Sequence, residues 1–383
     1  MNLDLTDDQI QIRDAVRELC AAEFAPHAAR WDQEGDVPAS ALEKLADQGF
    51  LGMAIPEEWG GVGYDAQTIA IVLEEIAMVS AALAIMIAVH NSVGALPVFR
   101  FGTDEQRRRF LPRLVSRELA AFSLSEPGAG SDAGAIAASA EREGDHYVLH
   151  GSKNWVTNGL RAGVYLVFAR TGNDRGNRGL SAFIVERGTP GLVVGKAEDK
   201  MGLRGSDTVS LSIEGVRVPV DQRLGDEGEG FRIAMSMLDA GRIGVAAQAL
   251  GVMRAAFGEA VRYAQQREAF GGPLAKIQSV QFKLAEMERR LQCSRLLIRR
   301  AAWLRDGGRP YSREASMAKL YASEAATWVT HQAIQIHGGY GYVKEYAVER
   351  YYRDARVMEI YEGASEIQRL VIARSLLKDG LRV

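Results

Sequence analysis

Hydrophobic positions along the chain change period twice. Up to about residue 118 they recur at helical spacing. The run LTDDQIQIRDAVRELCAAEF opens with Thr6 as a helix cap before apolar residues on one face, and further helical runs cover 39–48, 66–100 and 104–117. From about 119 to 227 the runs become short and either alternate or are continuously apolar, as in YVLHGSKNWVTNG, GVYLVFAR, LSAFIVE, LVVGK and VSLSIEGVRVP, with Gly, Asn and Pro between them. That pattern predicts several short strands in a small β-sandwich or barrel.

From about 228 the helical period returns in three long stripes. The first contains Phe231, Met235, Leu238, Val245, Ala249, Val252, Ala256 and Ala260. The second contains Ile277, Val280, Leu284, Met287, Leu291 and Ile298, and the third Ala318, Tyr321, Ala325, Trp328 and Ile336. Pro273, and Gly307, Gly308 and Pro310, mark the breaks. Short connections between long stripes predict an antiparallel bundle. The reading is a multi-domain α+β chain: 1–118 helical, 119–227 β, 228–383 helical.

Composition narrows the picture without redrawing it. With 47% hydrophobic and 25% charged residues over 383 positions, disorder and coiled coil are disfavoured and a sizeable core is expected. A formal charge of -3 gives no general attraction to nucleic acid. Cys20 and Cys293 form no CxxC pair, so a reduced compartment without disulfides is expected. The six histidines show no metal spacing, and no metal site is expected. The longest apolar stretch, Ile76 to Val89, is interrupted by Ser80 and falls short of the ~20 residues of a membrane span, so it reads as a buried helix. The N-terminus, MNLDLTDDQI, is acidic without a signal core or transit pattern, so a cytoplasmic location is expected.

Two glycine-rich segments, GVGYDA (61–66) and GAGSDA (128–133), satisfy a loose G-x-G-x-x-A pattern but lack the βαβ setting of a dinucleotide site. IYEGASEIQR (360–369) is more informative. Ser365 and Gln368 stand at capping-box spacing, which predicts a helix from about Glu366 and leaves Glu362 on a loop beside Tyr361 and Gly363. Residue type alone makes Glu362 an exposed loop carboxylate, since Glu is mostly a surface residue; only if sequestered from water would it be a stronger base.

FSLSEPGAGSDAG (122–134), NWVTNG (154–159), QREAFGGPLAKIQ (266–278), QIHGGYGYVKEY (335–346) and YRDARVMEIYEGASEIQR (352–369) together resemble the acyl-CoA dehydrogenases. The likeness runs in order over nearly the whole chain and is strongest to the short-chain, butyryl type. It implies an N-terminal helical domain, a middle β-domain and a C-terminal four-helix bundle. It also implies FAD-dependent oxidation of an acyl-CoA thioester to the 2-enoyl-CoA, with Glu362 as base and flavin N5 as hydride acceptor.

By the same resemblance, Phe122, Leu124, Ser125, Gly130 and Ser131 form one flavin loop, and Trp155, Val156 and Thr157 cover the ring, with the Thr157 hydroxyl at N5. Arg267 would meet the FAD pyrophosphate, as a planar guanidinium suits phosphate oxygens. Phe270, Gln278 and the stretch Gln335, Ile336, His337, Gly338 and Gly339 would reach the flavin of a neighbouring subunit, and Ala364, Ser365 and Glu366 would contact it as well. Many relatives have Thr where this chain has Ala364. Ser131, Asp239, Arg242 and Gly363 would touch substrate. In isovaleryl-type relatives the base comes instead from the first bundle helix, where this chain has Gly241. A homotetramer built as a dimer of dimers and an electron-transfer flavoprotein as electron acceptor complete the expectation. The rival readings are an acyl-CoA oxidase or flavin monooxygenase on the same fold, or a non-catalytic CoA- or flavin-binding protein.

Overall fold

The computed structural model describes residues 4–172 and 176–379. Seven helices form the N-terminal part: α1 Asp7–Leu19, α2 Ala28–Glu34, α3 Ala39–Asp47, α4 Ala66–Val79, α5 Ala81–Val89, α6 Leu96–Phe101 and α7 Asp104–Ser116. Thr6 caps α1 as its position predicts: its hydroxyl accepts from the Gln9 N–H while the Gln9 side chain accepts from the Thr6 N–H. The single buried helix expected across Ile76–Val89 is instead two. Ser80 adopts an extended conformation (φ -144°, ψ 102°), ends α4, and caps α5 by accepting from the Leu83 N–H at 3.2 Å. The segment Ala81–Phe101 has a mean hydropathy of 1.8, enough by length and composition for a membrane span, but 89% of it is buried inside the molecule. Its first part, α5, is apolar all round and buried at every residue.

The middle part is one mixed sheet of eight strands: β1 Leu119–Ser123, β2 Ser139–Glu143, β3 His146–Thr157, β4 Ala162–Arg170, β5 Leu180–Glu186, β6 Leu192–Val194, β7 Thr208–Pro219 and β8 Arg223–Leu224. Strand order is β6-β7-β3-β2-β4-β5-β8, with β1 parallel to β4. The two kinds of hydrophobic run have a physical cause. In β7, buried and less buried residues alternate because one face meets the core. In β4 and β5 both faces are covered. Val164, Leu166, Phe168, Ala182 and Ile184 pack with Phe110, Leu114 and Ile233 of the helices, while Tyr165, Val167, Phe183 and Val185 pack into the β-core. Strands β1 and β2 escape the period analysis: each has five residues, and β2 is mostly polar and exposed.

The C-terminal part holds α8 Gly230–Gln266, a two-strand ribbon of β9 Glu268–Ala269 and β10 Gly272–Pro273, α9 Gln278–Asp306, α10 Ser312–His337, α11 Val348–Arg356 and α12 Ser365–Asp379. Every residue of α8 from Ala240 to Met253 is buried, since α4, α5, α9, α10 and α11 all pack on it. The stripe read for α8 therefore understates its burial, and its first three members, Phe231, Met235 and Leu238, are only half-buried. Pro273 ends β10 and directly precedes a 3-10 turn, Leu274–Lys276, that leads into α9. Cys20 and Cys293 are both free thiols.

The capping box expected at the start of α12 does not form. Ser365 is the first helical residue, and its buried hydroxyl has no partner. The Gln368 amide turns instead to the carbonyls of Gly363, at 2.8 Å, and Glu362, at 3.3 Å. A tight turn just upstream offers carbonyls with free acceptor capacity, and satisfying those is worth more than a cap on a half-exposed helix end.

Candidate functional site

Glu362 lies on the turn between the end of α11 and α12, against α8 and α10. It is one of five non-glycine residues with positive φ (49°) among the described residues, and Gly363 follows at 94°, so the carbonyls of both are swung into a single tight turn. The residue is half-buried as a whole. Both carboxylate oxygens are nevertheless shut off from solvent and accept no hydrogen bond. Its N–H finds no acceptor among the described residues.

Burial pushes the Glu362 carboxyl up to about 7, against the opposing pull of Lys319 and then Arg242. Room for it comes from Gly241 on α8. A Cβ built there would lie 2.1 Å from Glu362 Oε2, so the carboxylate occupies the space of the missing side chain. Tyr361, just before it, donates its hydroxyl to Gln248 Oε1, and Gln248 Nε2 donates to Ala81 O at 2.7 Å, tying the turn to α8 and α5.

Two cations share this site. Arg242 is buried, with Nη1 2.5 Å from Asp239 Oδ1, and its Nε has no acceptor. Asp239 also accepts from Ser312 Oγ at 3.0 Å, and burial raises its carboxyl above the usual range. Lys319, on α10, has no exposed surface and donates to Gly363 O at 2.7 Å; burial pulls its ammonium down to about 8. One helical turn along α8 from Gly241, a cavity of about 20 Å³ is lined by Ala240, Ile243 and Gly244 together with Leu73 and Ala88.

A second group gathers in the β-domain. Asn154 N–H donates to Ser125 O at 2.9 Å, so the loop after β1 is sewn to β3 beside Trp155. Lys153, fully buried, donates to Leu124 O at 3.2 Å and to Glu126 Oε1 at 2.6 Å. The Glu126 carboxylate also accepts from the N–H groups of Ala137 at 2.6 Å and Ala138 at 3.0 Å. Phe122 stacks at a tilt on Phe168, 4.9 Å between ring centres. Val156 points into the β-core, whereas Trp155, at φ 62°, is 64% exposed. Thr157 is half-buried, and Gly130 and Ser131 are exposed at the loop tip.

A third group lies at the end of the bundle. Arg267, Ile336, His337, Gly338 and Gly339 line a cavity of about 510 Å³ with Tyr263 and Tyr340. The His337 ring stacks on Tyr263 at 4.2 Å and its Nδ1 bonds Ala333 O at 2.8 Å. Arg267 lies over the Tyr340 ring at 5.7 Å and pairs with no described carboxylate. Phe270 is 97% exposed at the tip of the β9–β10 ribbon with φ 54°, followed by Gly271 at 85°. Gln278 and Gln335 are exposed helix-end residues that do not line the cavity. Ala364 is half-buried, and Glu366 is exposed on the first turn of α12.

Glu362, Gly363, Asp239 and Arg242 thus come together, as do Leu124, Ser125 and Trp155, and as do Arg267 and Ile336–Gly339. Sequence reading overlooked Lys319 and the Glu126–Lys153 pair, and gave Gln368 a capping role in place of its bonds to the turn carbonyls. For Lys319 a signal existed: it stands among Ala315, Ala318, Ala322 and Ala325, on the face of α10 that turns out to be buried.

Comparison with known proteins bears on the whole chain. The acyl-CoA dehydrogenase N-terminal, middle and C-terminal domain families match residues 6–118, 121–216 and 228–377. The mitochondrial short-chain specific acyl-CoA dehydrogenase of Bos taurus is 49% identical over 98% of this chain and 92% of its own. The structure of butyryl-CoA dehydrogenase from Megasphaera elsdenii matches with a TM-score of 0.97 at 43% identity, covering 98% of this chain and 100% of that one. A chain in a structure described as an electron transferring flavoprotein of Acidaminococcus fermentans matches with the same TM-score and identity, over 99% and 100%.

Proposed function

The chain belongs to the acyl-CoA dehydrogenase family, and from that premise we propose that it desaturates a short acyl-CoA thioester between the α and β carbons with Glu362 as base. It is an oxidoreductase acting on CH–CH bonds, and its cofactor is FAD. The observation that carries the assignment of the base is the state of the Glu362 carboxylate: buried, free of hydrogen bonds, and raised to about 7. Such a group is substantially ionised at neutral pH and binds a proton far more strongly than a carboxylate in water. The free N–H of the same residue is the donor we assign to the thioester oxygen, since charge develops there as the α-proton leaves. Arg242 and Lys319 supply positive charge to the pocket without quenching the carboxylate by a direct bond.

The residues present fit FAD. Arg267 is an unpaired guanidinium on the 510 Å³ cavity, where an added Cβ at Gly338 or Gly339 would meet nothing within 4 Å, leaving their backbone open to approach. The Ser365 hydroxyl is buried and orphaned at the start of α12. The Ser125–Ser131 loop and Trp155–Thr157 would hold the ring, and Arg267 with Gln335–Gly339 the pyrophosphate side. When bound, FAD supplies the acceptor for the hydride that leaves the β-carbon.

The cavity at Arg267 is lined by bundle residues, and none of the β-domain group described above is among them. That supports an FAD completed by a neighbouring copy, hence the homotetramer, with the exposed Phe270 reaching across. The same reading takes an electron-transfer flavoprotein as electron acceptor, and it keeps three domains, at 1–118, 119–227 and 228–383. The likeness to the short-chain specific enzyme of Bos taurus and to butyryl-CoA dehydrogenase supports a short acyl chain.

The test is spectroscopic. Extraction should yield FAD, about one per chain, and butyryl-CoA added without oxygen should bleach the flavin band. The Arg267→Ala variant should lose FAD on dilution. Recovery of FMN, or a band that persists under saturating butyryl-CoA, would sink the reading.

A further inference from the structure

Lys319 is a buried cation inside an alanine-rich face: Ala315, Ala318 and Ala322, each fully buried, surround it on α10, and its own exposure is 0%. An ammonium in such a place is costly unless its bonds do something the fold needs. Its nitrogen donates to Gly363 O at 2.7 Å, and Gln368 Nε2 reaches the same oxygen at 2.8 Å. Two donors fill both lone pairs of that carbonyl. The peptide they grip lies immediately after the φ 49° position of Glu362. The carboxylate of Glu362, by contrast, receives no hydrogen bond from the lysine or from any other described residue.

We infer that Lys319 is the positioning residue of the base: by holding the Gly363 carbonyl it locks the turn that aims Glu362, and by its charge it keeps that carboxylate ionisable at neutral pH without bonding to it. This deepens the reading of Glu362 as base and rests on it. The arrangement has a chemical logic. An ammonium bonded directly to the carboxylate would hold it ionised but make it a poor base, whereas an ammonium bonded to the next carbonyl acts through space alone.

The other charges around the pair come from every element packed on it. Arg242 on α8 also favours the ionised carboxylate, and the Tyr361 phenol adjoins it on the same turn. Glu359 and Glu366 favour the charged form of Lys319, and Arg242 opposes it. Arg242 stays in place when Lys319 is replaced, so the effect of the replacement is a displacement of the base rather than its abolition.

The experiment follows the pH profile of kcat/KM for the FAD-loaded enzyme with butyryl-CoA, alongside flavin content and Tm. Lys319→Met should move the acidic limb to higher pH by about one unit, cut kcat/KM at neutral pH about tenfold, and leave much of the activity recoverable above the new limb. A merely structural lysine would lower Tm and activity at all pH values with the limb unmoved, and that result overturns the inference. Lys319→Arg keeps the charge and guards against a Met variant that does not fold. Its limb should stay at the parent position, and a limb displaced by a full unit in the Arg variant overturns the inference as well. Glu362→Gln, run in parallel, separates the two readings. If it is inactive while the limb of Lys319→Met stays put, only the role of Lys319 falls. If it turns over at the parent rate, the assignment of the base falls and takes this inference with it.

Discussion

Two glutamate–lysine pairs lie buried in this chain, and they are built in opposite ways. In the β-domain, Glu126 and Lys153 meet at 2.6 Å, and the carboxylate also accepts two backbone N–H groups. In the bundle, Lys319 passes over the carboxylate of Glu362 and bonds a carbonyl, leaving both oxygens without a donor. Both lysines have no exposed surface, and burial draws each ammonium down to about 8. The difference therefore lies in the acid. A carboxylate with its lone pairs filled is a structural strut; a carboxylate left empty in the same low-dielectric surroundings is a base held in readiness. The first pair joins the loop of Ser125 to the strand of Trp155. The second aims a proton acceptor at the space vacated by Gly241.

The sharpest way to break the comparison is Glu362→Gln, which should reduce turnover by ~10²–10⁴, the usual worth of a general base, while FAD and acyl-CoA still bind. The same variant has a stability signature. Burial raises Glu362 from its ordinary 4.5 to about 7, so between those values the folded protein holds a proton that the unfolded chain releases. Parent stability is then lost as pH rises through that window. Denaturant melts should show the stability of the Gln variant gaining on the parent from about pH 4.5 to pH 7, by an amount on the order of 3 kcal/mol. A gap that does not change with pH would remove the distinction between the two acids.

Next in size is Lys153→Met. It leaves a carboxylate buried without its cation, and breaking such a pair costs about 3–5 kcal/mol. A lowered Tm together with easier loss of FAD is expected, because the loop it pins carries Ser125. Adding Glu126→Gln should recover part of the loss, and a double variant no better than the single one would mean the pair is not the strut described here.

The smallest effect is a restoration. In a Glu362→Gly background, Gly241→Glu sends a carboxylate-bearing side chain from α8 into the space that Oε2 of Glu362 now fills. Activity should return in part, remaining ~10²-fold below the parent, since an error of ~1 Å in placement carries that cost. Assaying the Glu362→Gly protein with and without Gly241→Glu decides it: no gain at all would show that position on the turn, and not merely a carboxylate in the pocket, makes the base.

Much of this was legible in the chain itself. Period alone separated the helical, β and helical parts, and the continuous runs GVYLVFAR and LSAFIVE marked the two strands covered on both faces. Thr6 announced its cap, and the glycine after Glu362 announced a turn at which a backbone could be approached. Those features are local, since capping, alternation and positive φ depend on residues a few positions apart.

What the tertiary structure decided concerns partners far apart in the chain. Ser365 and Gln368 have the spacing of a capping box, yet the Gln368 amide goes to the turn carbonyls because that turn is folded against it. Lys319 looked like one more polar residue on a helix until α8, α12 and the turn closed over it. Ser80 could be seen to interrupt an apolar run, but not to divide it into two helices. Desolvation belongs to this second kind of fact: nothing in the order of residues says which carboxylate will lose its water and find no donor. That depends on how much of the surrounding space other segments fill, and it is the property on which the chemistry of Glu362 depends.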